Sequence, residues 1–197
     1  MTLSKAQLYN ITLNILGIST PLENANSTDN RAILLNNYYE MARDFVLKDF
    51  DWNFASQYRK LSLSNEQNEN FKYEFCYDYP NDCICARDIY DNKTDKTHKF
   101  LITSLDSGQK VILCNVEDAI LRYTKRIDKE VFYTCEFSMA LAYYLASLTS
   151  SVLVGSIQKG ELALEKYKTL IKRARLLNAR EGADNIYDDL TYLDSRN

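Results

Sequence analysis

Of 197 residues only one is histidine, one tryptophan and two proline, and the five cysteines form no C-x-x-C pair. So little histidine removes the usual general base and metal ligand: His98 stands alone in the polar run DNKTDKTHKF and reads as an exposed loop or strand-end residue. No nucleophile elbow, Walker loop or zincin spacing occurs, so nothing in the sequence points to an enzyme. Cys83 and Cys85 alternate, which puts both thiols on one strand face with Cys76 and Cys114 on neighbouring strands. Such cysteines are small core residues more often than ligands, so neither metal nor cofactor is expected. Positive charge is not in excess: the formal net charge of -3 argues against a dedicated duplex binder, whose affinity comes from clustered Lys and Arg. The start, MTLSKAQLYNITLNILG, lacks an apolar core and a small-residue cleavage site. A reducing compartment is therefore expected, in which the Asn-x-Ser/Thr triplets at Asn10, Asn26 and Asn92 mean little. The stretch 137–158 has no charge but holds five serines, a threonine and a glutamine, so it reads as a buried helix and no membrane partner is expected.

What is present is an ordinary globular composition, 46% hydrophobic and 26% charged, with 15 tyrosines that lean toward large contact surfaces. One domain, 1–197, is expected. Ser4-Lys5-Ala6-Gln7 is a capping box opening a helix with Leu8, Ile11 and Ile15 on one face and Gly17 beyond its end. A second helix starts near Ser27-Thr28-Asp29, reaches about Lys48, and is expected to bury the stripe Leu34, Tyr38, Met41 and Phe45. Phe50, Trp52 and Phe54 then alternate, marking the junction between a helical bundle and a sheet, and burial of these rings would fix the angle between the two layers. From 58 to 124 the period is two. Phe71, Tyr73, Phe75, Tyr77 and Tyr79 fall on one face, and KFLITS and KVILC flank an Asp106-Ser107-Gly108 hairpin turn. The pair Asp49 and Asp51 reads as solvation of a chain turn.

Asp128 is expected to cap a helix of up to about 26 residues, packed on more than one side. One face carries Val131, Cys135, Ala142, Leu145, Thr149 and Val152; another carries Phe137, Leu141, Tyr144 and Leu148. After a connection from Gly155 to Gly160, the stripe Ala163, Tyr167, Leu170, Ala174 and Leu177 pairs back as a helical hairpin that Gly182 closes. The fold class is α+β: a helical bundle (1–55 and 128–182) with an inserted antiparallel β-sheet (about 58–124) and a tail, 183–197.

Charge is unevenly placed. Between 159 and 180, seven basic residues (Lys159, Lys166, Lys168, Lys172, Arg173, Arg175 and Arg180) face two acidic ones, whereas the tail carries four Asp against Arg196. Two readings stand side by side: a solvated helix whose basic end complements its own dipole, or a subunit interface in which the basic face meets an acidic surface of another copy. In the tail, Ile186, Tyr187, Leu190 and Leu193 form one apolar stripe of an induced helix, a docking segment expected to be mobile in the free chain and ordered on a partner.

The order of elements, with the phrases YYEMARDFVLKDFDWNFA, FKYEFCYDYPNDC, FSMALAYYLASLTSSVL and a last helix ending in A-R-x-x-N-A, resembles the tail tubular protein A family of short-tailed phages. The likeness covers about 1–182 and includes the ring proteins of gut-bacterial phages. It implies a non-enzymatic head-to-tail adaptor of the virion, assembled in the host cytoplasm. The subunit would join a ring with copies of itself, typically a dodecamer, and dock on the portal protein. The next tail or ring protein would attach below, with phage DNA in the channel without sequence specificity. The tail stripe, Ile186 to Leu193, would then be the portal-docking segment. The alternative is a soluble nucleic-acid-binding or regulatory module that uses the basic helix 159–180.

Overall fold

A computed structural model describes residues 3–65, 72–91 and 96–194, with side chains up to residue 176. Among the described residues the chain is mixed α and β, with four α-helices and two antiparallel sheets. Two compact units divide it: 1–46 together with 129–197, and 47–128.

In the helical unit, α1 (Lys5–Ile15) has the expected capping box: Ser4 Oγ accepts from the Gln7 amide and Gln7 Oε1 accepts from the Ser4 amide at 2.8 Å. It ends in a Schellman turn, with the Gly17 amide on Asn14 O and the Ile18 amide on Leu13 O, and Gly17 at φ +84° supplies the left-handed residue. Asn10 clamps the following loop at two points, donating to Leu22 O and accepting from the Leu22 amide. The side chain is therefore spent inside the fold.

α2 (Asn30–Asp49) is N-capped by Asp29, whose carboxylate accepts from the Arg31 amide and guanidinium. That guanidinium holds the Asp29 carboxyl at about 2. The buried stripe is not the expected one. Ala32, Leu35, Tyr39, Ala42 and Val46 are buried, whereas Met41 and Phe45 are 56% and 45% exposed. Both sets have helical spacing; the buried one carries two alanines, which let a neighbouring backbone approach. Phe45 instead stacks on Tyr144 with ring centroids 4.5 Å apart.

α3 (Cys135–Val154) starts later than Asp128. A 3₁₀ turn, Glu130–Phe132, intervenes, and Thr134 Oγ1 caps the Phe137 amide. Val131, Cys135 and Val152, expected on a buried face, are exposed. Phe137, Leu141, Ala142, Leu145 and Thr149 are buried as expected. α3 is long and apolar enough to cross a membrane, and half of that window is buried in this fold.

α4 (Ile157–Asp194) follows after Gly155 and Ser156 and packs on α3. Neither Gly160 nor Gly182 ends a helix; both lie inside α4. Gly160 is needed where the helices touch: a Cβ there would overlap Ser150 Oγ and stand 3.0 Å from the Ser147 carbonyl. Ala163, Tyr167 and Ile171 continue the buried stripe, with Leu170 and Ala174 half-buried; Leu177 lies outside the described side chains. Lys159, counted among the surface charges, reaches Leu16 O with Nζ at 2.6 Å and so caps the C-terminal end of α1.

The second unit holds two sheets where one was expected. The strands are β1 (Ser56–Lys60), β2 (Phe75–Asp78), β3 (Cys83–Tyr90), β4 (Thr97–His98), β5 (Phe100–Ser104), β6 (Lys110–Cys114) and β7 (Ile120–Lys125). One sheet runs β1-β7-β3-β4 and the other β2-β6-β5. They share a core of Leu61, Tyr77, Ile89, Ile112, Cys114, Leu121 and Tyr123, with Phe75, Tyr79 and Phe100 packed against it. The β5–β6 hairpin turns at Gly108, φ +84°, as expected. Tyr73 does not share the face of Phe75, Tyr77 and Tyr79: it packs on Cys76, Val111 and Leu113, on the other face of the three-stranded sheet. Phe71 lies outside the described residues. The buried Tyr77 hydroxyl donates to Val116 O at 2.7 Å and pins the β6–β7 loop.

Gly160→Val is expected to lower the unfolding free energy by about 2–3 kcal/mol, since overpacking at a helix contact outweighs the small gain in propensity over glycine. Ser150→Ala, which removes the clashing oxygen, should restore part of that loss when combined with it, as read by urea denaturation. Equal midpoints for wild type and Gly160→Val would mean that α3 and α4 are not in contact there.

Candidate functional site

Four places in the fold carry the residues of interest, each within one unit. The first is the junction segment. Phe50 and Trp52 are buried, at 9% and 5% exposure, and meet edge to face with centroids 4.8 Å apart; Trp52 lies 6.1 Å from Phe54, which is half-buried. Strict alternation does not persist, because Asn53–Ala55 is a 3₁₀ turn before β1.

Beside this segment lies a charged network whose arginines no sequence motif marks. Arg87 of β3 donates through Nη2 to Lys48 O and Phe50 O, both at 3.0 Å, and through Nε to Thr124 Oγ1 at 2.9 Å. Arg122 of β7 joins Asp51 and Asp88, each at 2.6 Å. Burial works against the charge on Arg122, but the hydrogen bonds to Asp51 and Asp88 outweigh it and raise its pKa above the ordinary value. Asp51 is thus a structural counter-ion and does not solvate a turn. A strand arginine next to an Asp, Arg87-Asp88, and an Asp two residues past a helix end were the only available signals.

A second polar cluster sits in the helical unit. The Tyr39 hydroxyl donates to Glu130 Oε1 at 2.8 Å and lies 3.4 Å from the Tyr133 hydroxyl, while Lys5 Nζ stands 4.3 Å over the Tyr39 ring. Burial raises the Tyr39 pKa and lowers that of Lys5, so the hydroxyl stays a donor. The cluster fastens the turn Glu130–Phe132 ahead of α3.

The third place is the basic row of α4. Lys166, Lys168, Lys172, Arg173 and Arg175 are all exposed, interspersed with exposed Leu162 and Leu176; the side chain of Arg180 lies outside the described residues. So do those of Ile186, Tyr187, Leu190 and Leu193. The backbone there is helical to Asp194, continuous with α4, so Gly182 does not set off a separate tail. With 38 residues against 20 in α3, α4 outruns its partner by the length of 18 residues, about 27 Å at 1.5 Å each.

The fourth place is the cysteines. All five are free. A register shift between Cys83 and Cys85 breaks their alternation, and Cys76 and Cys114 belong to clusters on opposite faces of their sheet. Among the described residues no three His, Cys, Asp or Glu side chains group as metal ligands. Burial pushes the Cys83 thiol up to about 11 and raises that of Cys114. His98 ends β4, its side chain 37% exposed and Nε2 3.8 Å from an Asp91 oxygen.

Trp52→Ala is expected to cost roughly 3 to 5 kcal/mol, the range for deleting a large buried aromatic; a denaturant midpoint that barely moves would place Trp52 at an interface instead. In a thiol titration of the native chain near neutral pH, Cys135 should react first, with the buried Cys76 and Cys114 protected until unfolding. Rapid labelling of Cys114 would contradict its burial.

Neither a family model nor a curated protein matches this chain.

Proposed function

We propose that the chain is the subunit of a head-to-tail connector: a non-enzymatic adaptor ring of a short-tailed phage virion, assembled in the host cytoplasm, that docks on the portal and joins it to the tail. In this reading the helices form a bundle closed by an α3–α4 hairpin on the portal side. The β unit faces the next tail or ring protein, and phage DNA threads the ring without sequence readout. Ring size, a dodecamer, comes from the resemblance alone.

The observation that carries the reading is α4. It exposes a basic row over its first half, and its second half extends past the helix on which the first half packs. A domain complete in itself has no use for such an arm. Further support comes from the described large apolar residues left exposed on the helical unit, among them Ile33, Met41, Phe45, Val131, Phe132, Val152 and Ile157. Many exposed large apolar side chains on a unit that also exposes a run of one charge are features of an assembly surface. Portal docking through Ile186, Tyr187, Leu190 and Leu193 rests on their sequence spacing. The second reading, a nucleic-acid module, draws on the same exposed lysines and arginines of α4.

Light scattering after size exclusion, with and without purified portal protein, separates the two. A discrete ring or a portal complex is the expected result; a monomer that shifts a DNA probe, with affinity falling steeply in salt, would favour the module. A chain ending at Gly182 should keep its melting temperature and lose portal binding. Unfolding of that truncated chain, or undiminished portal binding, would remove the docking role from the end of α4.

A further inference from the structure

The β unit contains a cavity of about 670 Å³ that neither the assembly reading nor the core packing uses. Its volume falls within the ~300–1,000 Å³ typical of small-ligand sites. Three cations reach its wall from two sequence-distant strands: Arg59 and Lys60 at the end of β1 and Lys110 at the start of β6. The only wall carboxylate among the described residues, Asp78, already accepts from the Gln109 amide at 2.8 Å.

The partners of the three cations leave their charge available. Lys110 Nζ stands 3.7 Å over the Tyr79 ring and has no carboxylate partner among the described residues. Lys60 pairs with Asp118 at 2.9 Å, but both side chains are 59% exposed, and so solvated a pair exchanges readily for a better acceptor. Arg59 lies 3.3 Å from Asp82, which is also claimed by the Tyr123 hydroxyl and approached by Lys125, leaving the half-exposed guanidinium with donors to spare. Ser62 and Asn81 add exposed neutral donors to the same wall. Tyr79 and Pro80 add apolar surface.

We propose that this cavity binds a phosphate-bearing ligand of nucleotide size. A guanidinium fork and two ammonium groups suit a group that carries up to two charges and three terminal oxygens, and the cavity has room for more than the bare anion. The phosphate could be supplied by a free nucleoside phosphate or by a nucleic-acid strand. The site is independent of ring formation, which is read by mass, so either idea can fail alone.

Isothermal titration calorimetry of the full chain, with ATP and separately with a short oligothymidylate, tests it. One site per chain is expected, with binding weakened about tenfold in Lys110→Gln and in Lys60→Gln, the loss of one charge-assisted contact each. Lys129→Gln, exposed and outside the cavity, should bind as wild type, and thermal melts should show all three variants folded. ATP binding at least as tightly as the oligonucleotide identifies a free nucleotide; an oligonucleotide tenfold tighter, still dependent on Lys110, identifies a strand. The proposal is overturned by absence of heat with both probes, by unchanged affinity in Lys110→Gln, or by an oligoglutamate peptide that competes as well as ATP.

Discussion

Arg87 satisfies what a helix end otherwise leaves bare. The last carbonyls of a helix have no partner within it, and at the end of α2 one guanidinium reaches those of Lys48 and Phe50 while holding Thr124 on the strand beside it. Where the backbone turns from helical to extended, its path is thus set by a planar group that cannot lose its proton. Arg122, gripped by Asp51 and Asp88, restrains the next residue of that path. The aromatic rings of Phe50 and Trp52 fill the space these contacts define. Charge fixes the route, and apolar burial stabilises it.

Much of the fold was legible because caps and turns are local chemistry. The Ser4 box, the Gly17 stop and the Gly108 hairpin turn each depend on a handful of neighbouring residues. The failures are choices that local chemistry leaves open. α2 has two faces of helical period, and larger side chains were taken as the buried ones. The fold instead buries the face with Ala32 and Ala42, where a neighbour can come close. Gly160 looked like a stop but serves a close contact with α3; nothing in the described residues explains Gly182. Asp128 looked like a cap, yet Thr134 is the residue whose side chain meets an orphan amide. Alternation located β2 and the β5–β6 hairpin but not which strands pair across the unit, so two sheets were read as one.

Of the candidate sites, the exposed lysines and arginines of α4 from Lys166 to Arg175 were readable, since clustered charge is a property of sequence. Removal of Lys159 from that row was not readable, because its partner, the Leu16 carbonyl, is 143 positions away. The cavity of the β unit shows the same limit more strongly. Arg59, Lys60 and Lys110 occupy unremarkable positions along the chain and become a set only because the segment after β1 bridges to β2, which pairs with β6.

The β unit begins and ends on paired strands: β1 lies antiparallel to β7, with Ser56 opposite Thr124. The chain therefore enters and leaves the 47–128 segment on neighbouring strands, although tens of residues separate the two points. For the helical unit, whose sequence is split around this insertion, the folded sheet acts as a short tether. The entropic cost of closing a loop rises with its length, and here it is met within the β unit by strand pairing. With β1 and β7 paired, the loop that separates α2 from α3 is short in effect, because the chain leaves the β unit one strand away from where it entered.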